Sequence, residues 1–211
     1  MVKNNRRGLV LVISSPSGAG KTTICKNIIE KVDNVSLSVS VTTRKKRKGE
    51  IEGKDYFFKT NEEFIQMMSN NQFIESAKVF GNFYGTLKEP VLKFLSQGKD
   101  VLFDIDWQGT QQLKKIKYLS LVTFFILPPN IQVLKKRLLN RHEGQKKLIK
   151  QRMNKFNEEI SHWTEYNYVV VNDDLEICYN RIFNIMMSEK KGVSQKQNLD
   201  QIAKKVEELI K

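Results

Sequence analysis

The apolar run Leu9-Val10-Leu11-Val12-Ile13, followed at once by Ser15-Pro16-Ser17-Gly18-Ala19-Gly20-Lys21-Thr22, limits what this chain can fold into more than any other feature. A continuous apolar run of this length reads as a parallel strand buried on both faces. Gly18, Ala19 and Gly20 keep the following loop free of bulky side chains, and Ile24, Ile28, Ile29 and Val32 then recur at helical spacing. Strand, small-residue loop and helix start, in that order, make an anion cradle, because backbone N–H groups and a helix N-terminus converge on one point. In the pattern G-x-x-x-x-G-K-[ST] the lysine, here Lys21, reaches the β- and γ-phosphates of a nucleotide, and the hydroxyl, here Thr22, ligates Mg2+. Ser15 stands where the first glycine of that pattern belongs.

Three further apolar runs of strand type lie downstream: Val101-Leu102-Phe103, Leu121 to Leu127, and Tyr168 to Val171. Helical material follows each, at Gln108 to Lys115, Asn130 to Leu139 and Leu175 to Met187. This alternation predicts a doubly wound α/β sheet. Between Val35 and about Pro90 it breaks. Val35 to Thr43 and Asp55 to Phe58 read as strands and Asn61 to Asn71 as a helix, which predicts an inserted, mixed α+β subdomain. A terminal helix places Leu199, Ile202, Ala203, Val206, Leu209 and Ile210 on one face, to be docked on the core. Phe103-Asp104-Ile105-Asp106 ends a strand in acids at the carboxyl edge where α/β ligands bind. Asp104 there is a candidate to hold Mg2+ through water, and capping of the next helix is the alternative use of such acids.

With 211 residues the chain suits one domain. No run approaches the roughly 20 apolar residues that span a bilayer, and Met1 to Arg7 lacks the apolar core of a signal peptide, so a cytoplasmic protein with no membrane partner is expected. Cys25 and Cys178 read as reduced core thiols, and with only His142 and His162 besides, no zinc site is expected. The net charge of +13 is local. Arg44 to Lys48 is five consecutive basic residues, and Lys135 to Lys155 holds nine against one acid, Glu143; elsewhere the charges cancel. Three readings stand: cations that face phosphate or lie beside it, lysines that merely fill solvated helix surfaces, or a nucleic-acid patch with steep salt dependence.

At this point the residues resemble the guanylate kinases. After the loop come Ser40-Val41-Thr42-Thr43-Arg44-Lys45-Lys46-Arg47-Lys48-Gly49-Glu50, Gly53-Lys54-Asp55-Tyr56-Phe57-Phe58, Phe73-Ile74-Glu75 and Gly81-Asn82-Phe83-Tyr84-Gly85-Thr86. Asp104-Ile105-Asp106-Trp107-Gln108-Gly109 and Val171-Asn172-Asp173-Asp174 follow in the family's order. The resemblance implies an α/β P-loop nucleoside monophosphate kinase fold: a parallel sheet flanked by helices, an inserted α+β GMP-binding subdomain and a helical lid. It implies one domain over residues 1–211, with core 1–38, 91–130 and 160–211, insertion 39–90 and lid 131–159. The implied activity is transfer of phosphate from ATP to GMP, and to dGMP, with Mg2+ and with no nucleic-acid partner.

By the same resemblance Ser15 to Thr22 bind ATP and Asn172 helps place adenine. Arg44, Arg47, Tyr56 and Tyr84 grip the GMP phosphate, and Arg forks and tyrosine hydroxyls suit that task. Ser40, Glu75, Thr86 and Asp106 recognise the base, since one carboxylate accepts both N1–H and the 2-amino group of guanine. Lys21, Arg137, Arg141 and Arg152 supply the catalytic cations, the three arginines from the lid. A non-catalytic scaffold domain of the same fold and a kinase of another nucleotide remain as alternatives at this stage.

Overall fold

A computed structural model of the chain describes residues 8–141 and 146–211. In chain order the elements are β1 (Val10–Ser14), α1 (Lys21–Lys31), β2 (Val35–Leu37), β3 (Ser40–Thr42), β4 (Phe57–Phe58), α2 (Asn61–Ser69), β5 (Phe73–Val79) and β6 (Asn82–Leu87). Then follow α3 (Lys88–Ser96), β7 (Asp100–Asp104), α4 (Trp107–Lys114), β8 (Leu121–Leu127), α5 (Ile131–Arg141), α6 (Lys146–Ser161), β9 (Tyr168–Val171), α7 (Leu175–Lys190) and α8 (Leu199–Ile210). The described residues fall into two compact units, 8–11 with 34–121, and 12–33 with the part from 122 onward.

In the first unit β2 pairs in parallel with β7, from Val35 opposite Asp100 to Leu37 opposite Leu102, and the start of β1 lies on the other side of β7. Val101, Leu102 and Phe103 are wholly buried, as a run without polar alternation requires. A second sheet has the order β4-β3-β6-β5, and β6 is antiparallel to both of its neighbours. α2 covers it with Phe64, which is fully buried and stacked on Phe73 and Phe83 at 4.5 and 5.3 Å between ring centres. A capping box starts α2: Thr60 accepts from the Glu63 N–H, and the Glu63 carboxylate accepts from the Thr60 N–H.

In the second unit the later residues of β1 neighbour β8, which pairs in parallel with β9 from Phe124 opposite Tyr168 to Leu127 opposite Val171. Phe125, Leu127, Leu134, Leu138, Phe156, Ile160, Val169, Val206 and Leu209 form one buried cluster. Each large side chain there contributes roughly 1.5–3 kcal/mol by leaving water. α5 and α6, expected as a lid, are thus packed into this core by Leu134, Leu138, Phe156 and Ile160. Cys25 on α1 and Cys178 on α7 are buried free thiols, as read.

Several expectations need correction. Val35 to Thr43 is two strands in two sheets, parted where the Ser38 hydroxyl donates to the Leu102 carbonyl at 3.1 Å. The helix from Asn61 stops at Ser69, because Asn71 has turned to a left-handed φ of 52°. α3 went unread; Pro90 is its third residue, where the missing N–H would have no partner inside the helix anyway. α8 docks on a narrower stripe than its periodicity suggests: Val206 and Leu209 are buried, whereas Leu199 is 62% and Ile210 45% exposed.

Candidate functional site

The phosphate loop lies in the second unit. It closes on itself through the Ala19 N–H to the Pro16 carbonyl at 3.2 Å, and the Thr23 and Ile24 N–H groups donate to the Gly20 carbonyl. Gly20 is the N-cap of α1 with a φ of 103°, a conformation open mainly to glycine. A Cβ there would also sit 2.3 Å from Asn172 Nδ2. Ser15, by contrast, is not among the described non-glycine residues of positive φ, and its hydroxyl donates to the Pro16 carbonyl at 3.0 Å. The serine at the first glycine position therefore fits without strain. Lys21 and Thr22 are the first two residues of α1, whose first turn holds no acid, which suits an anion at its N-terminus.

Three side chains from other elements of this unit fasten the loop. Asn172, 3% exposed just past β9, donates from Nδ2 to the Ala19 carbonyl at 2.7 Å. Arg137 of α5 donates from Nη1 to the same carbonyl at 3.1 Å and from Nη2 to the Asn172 carbonyl at 3.5 Å. Arg152 of α6 donates to the Ser17 hydroxyl. Arg137 and Arg152, two of the three arginines expected from the lid, thus meet the loop, while the side chain of Arg141 lies outside the described residues. Capping of α7 falls to Asp174, which accepts from the Glu176 and Ile177 N–H groups at 2.9 Å. Sequence reasoning missed Glu159 of α6, whose carboxylate accepts the Ser17 N–H at 2.8 Å.

The other constellation lies in the first unit, on one face of the four-stranded sheet. Register sets Ser40 opposite Thr86, and Thr86 opposite Glu75, so three polar side chains form a row across β3, β6 and β5. They are 7%, 1% and 3% exposed, and Thr86 Oγ1 is buried without a hydrogen-bond partner in the protein. A register shift between Phe73 and Glu75, of the kind a bulge makes, brings Glu75 into this row. Two residues along, Thr42 stands opposite Tyr84, whose ring lies edge-on to Tyr56 with centroids 6.1 Å apart.

Arg44 lies over the Tyr56 ring, its Cζ 5.2 Å from the centroid, and grips Glu50 through two bonds of 2.7 and 3.1 Å. Glu50 also accepts the Arg47 N–H at 2.8 Å and has Arg47 Nη1 at 3.9 Å. Burial would push the Glu50 carboxyl up, but the bonds from Arg44 and the Arg47 amide, with the charges of both arginines, outweigh it and hold the carboxyl below its ordinary range. Glu50 is a further residue that sequence reasoning quoted without a role. The lysines between and beside the arginines, Lys45, Lys46 and Lys48, are exposed, as are Lys135, Lys136, Lys146, Lys147, Lys150 and Lys155. Among the described residues of each run, the arginines are engaged and the lysines are exposed, as fillers of a solvated surface would be.

Asp104 is the last residue of β7, and Asp106 caps α4, its Oδ1 accepting the Gly109 N–H at 3.2 Å and its Oδ2 the Gln108 side-chain amide at 3.0 Å. Capping of α4 accounts for both carboxylate contacts of Asp106. Among the described residues no group of three or more His, Cys, Asp or Glu is placed to hold a metal, and no helix is long and apolar enough to cross a membrane.

Comparisons with known proteins agree with this geometry. The family described as guanylate kinase matches residues 7–189. The chain is 48% identical over 186 residues to the guanylate kinase of Paramagnetospirillum magneticum, covering 88% of this chain and 87% of that one. To the guanylate kinase of Rickettsia conorii it is 47% identical over 189 residues, covering 90% and 82%. The crystal structure of guanylate kinase from Anaplasma phagocytophilum matches with a TM-score of 0.74 at 39% identity, covering 87% of each chain.

Proposed function

The chain belongs to the guanylate kinase family, and we propose that its two constellations divide that family's reaction, the loop from Ser15 to Thr22 taking ATP and the sheet face around Glu75 taking GMP. The enzyme phosphorylates GMP to GDP at the expense of ATP, and dGMP is proposed as a second acceptor. The row of Ser40, Thr86 and Glu75 carries the acceptor assignment. Guanine presents N1–H and a 2-amino group side by side, and one carboxylate accepts both, whereas adenine offers an unprotonated N1. The buried Thr86 hydroxyl, with no partner in the protein, is the kind of group a base edge satisfies. A site that pairs polar groups in this way rejects the wrong base strongly, because a mismatch leaves them buried and unpaired.

At the other end of the same face, Arg44, Arg47, Tyr56 and Tyr84 hold the GMP phosphate, and Glu50 keeps the arginines extended toward one another until it arrives. The phosphate attacks as an anion, so the chain needs no general base. On the donor side the backbone amides of the loop and Lys21 hold the ATP phosphates, with Arg137 and Arg152 as cations beside them. Asn172 ties the loop through one N–H of its amide, and its buried Oδ1, without a hydrogen-bond partner in the protein, is left for the adenine ring. Thr22, in the first turn of α1, offers a hard hydroxyl donor, which fits a Mg2+ ion carried by ATP, for such an ion takes one or two protein ligands and keeps its waters; the carboxylate of Asp104, at the end of β7 in the other unit, is of the same donor class. When bound, Mg2+ neutralises charge on the phosphates.

The test is ADP release with ATP and Mg2+ while GMP, dGMP, AMP, CMP and UMP are supplied in turn. Turnover with GMP and dGMP but not AMP is expected; AMP turnover equal to that of GMP would overturn the assignment of Glu75.

A further inference from the structure

α4 stands against β5 and holds it in two ways. Gly109, the third residue of α4, faces the Glu75 carboxylate so closely that a Cβ would lie 2.4 Å from Oε2 and 3.1 Å from Cδ. Helix propensity alone favours alanine over glycine at such a position, so the space that Glu75 occupies is what requires glycine there. One turn on, Gln112 meets the next residue of the strand. Its Oε1 accepts the Ser76 N–H at 3.1 Å, and its Nε2 donates to the Ser76 carbonyl at 2.7 Å.

β5 is the edge strand of its sheet. The Ser76 N–H and carbonyl face outward, where an edge leaves such groups for water or another chain. The side-chain amide of Gln112 has the same donor and acceptor as a backbone peptide, so it pairs with Ser76 as a neighbouring strand would. The register shift just before Glu75 leaves β5 without regular pairing at that point, and the Gln112 pair fixes the strand immediately after it.

We propose that Gly109 and Gln112 are positioning residues for base selection, fixing the Glu75 carboxylate side chain and main chain so that it meets two donors of guanine at once. The proposal rests on the assignment of Glu75 to the guanine edge. Two-point recognition is sensitive to small displacements, because a carboxylate moved by a fraction of a bond length still reaches N1–H and loses the 2-amino group. The nucleotide that reports this loss is IMP, which keeps N1–H and lacks the amino group.

The experiment compares kcat/KM for GMP and IMP in Gly109→Ala, Gln112→Ala and Glu75→Gln, with KM for ATP as the internal reference. Each of the first two is expected to lower the GMP-over-IMP preference at least about tenfold, through a raised KM for GMP, with KM for ATP unchanged. A ratio unmoved in both, while Glu75→Gln lowers it, overturns the positioning role and leaves the reading of Glu75 intact. A ratio unmoved in Glu75→Gln overturns that reading and the proposal with it. Gln112→Ala opens only the strand edge, so it decides the matter if alanine at 109 prevents folding, and a general loss of folded enzyme would lower both rates without changing their ratio.

Discussion

Arg44 and Glu50 are joined by a two-pronged bridge across the turn after β3, Nη2 to Oε1 at 2.7 Å and Nη1 to Oε2 at 3.1 Å, with side chains only 12% and 15% exposed. Glu50→Gln should break the fork and cost about 1–3 kcal/mol, with KM for GMP rising on the order of tenfold and kcat changing less; steady-state kinetics check this. The pH dependence has a definite sign. The Glu50 carboxyl is held below 4.5, so its contribution to stability is complete above that value and is lost as pH falls through the lower, folded one. Thermal melts between pH 3 and 6 should therefore show a steeper acid loss in the native protein than in Glu50→Gln.

Within the phosphate loop, two small residues should differ sharply. Ser15→Gly is expected to keep kcat/KM within about threefold, because Ser15 already has an ordinary backbone, and to destabilise slightly by loosening the unfolded chain. Gly20→Ala combines a φ of 103° with a contact of 2.3 Å to Asn172 and should abolish nucleotide binding. Titration calorimetry with ADP separates the two.

Asn172→Ala removes the tie on the Ala19 carbonyl. The loss of one buried hydrogen bond, about 1–2 kcal/mol, should appear as a KM for ATP raised roughly tenfold, with KM for GMP unchanged. A rise in both would mean that the side chain supports the fold as a whole.

Burial pushes the Cys178 thiol up to about 12 from 9.0. The folded protein keeps this proton while the unfolded chain loses it, so stability should fall as pH rises above 9, and Cys178→Ala should flatten that slope. Alkylation of the native thiol at pH 9 should be at least about a hundredfold slower than in urea, which mass spectrometry of the labelled peptide measures.

The phosphate loop was legible in the sequence because its requirements are local: small residues, a positive φ at Gly20 and a helix start are all encoded within a few positions. The row of Ser40, Thr86 and Glu75 was not. It depends on the register of three strands and on the shift before Glu75, which no periodicity in the chain announces, and its members were named only through resemblance. Gln112, Glu50 and Glu159 escaped for a related reason. A glutamine or glutamate on a helix or turn looks solvated until the element it meets is known.

The division of labour within the basic runs has a practical consequence. Arg44, Arg47, Arg137 and Arg152 are turned toward protein partners, while the lysines around them point to water. The colloidal behaviour of the enzyme, including its retention on cation exchangers and heparin, is therefore expected to be set by side chains other than those proposed to handle nucleotides. Lys45, Lys46 and Lys48 can be exchanged to retune solubility with the chemistry left in place.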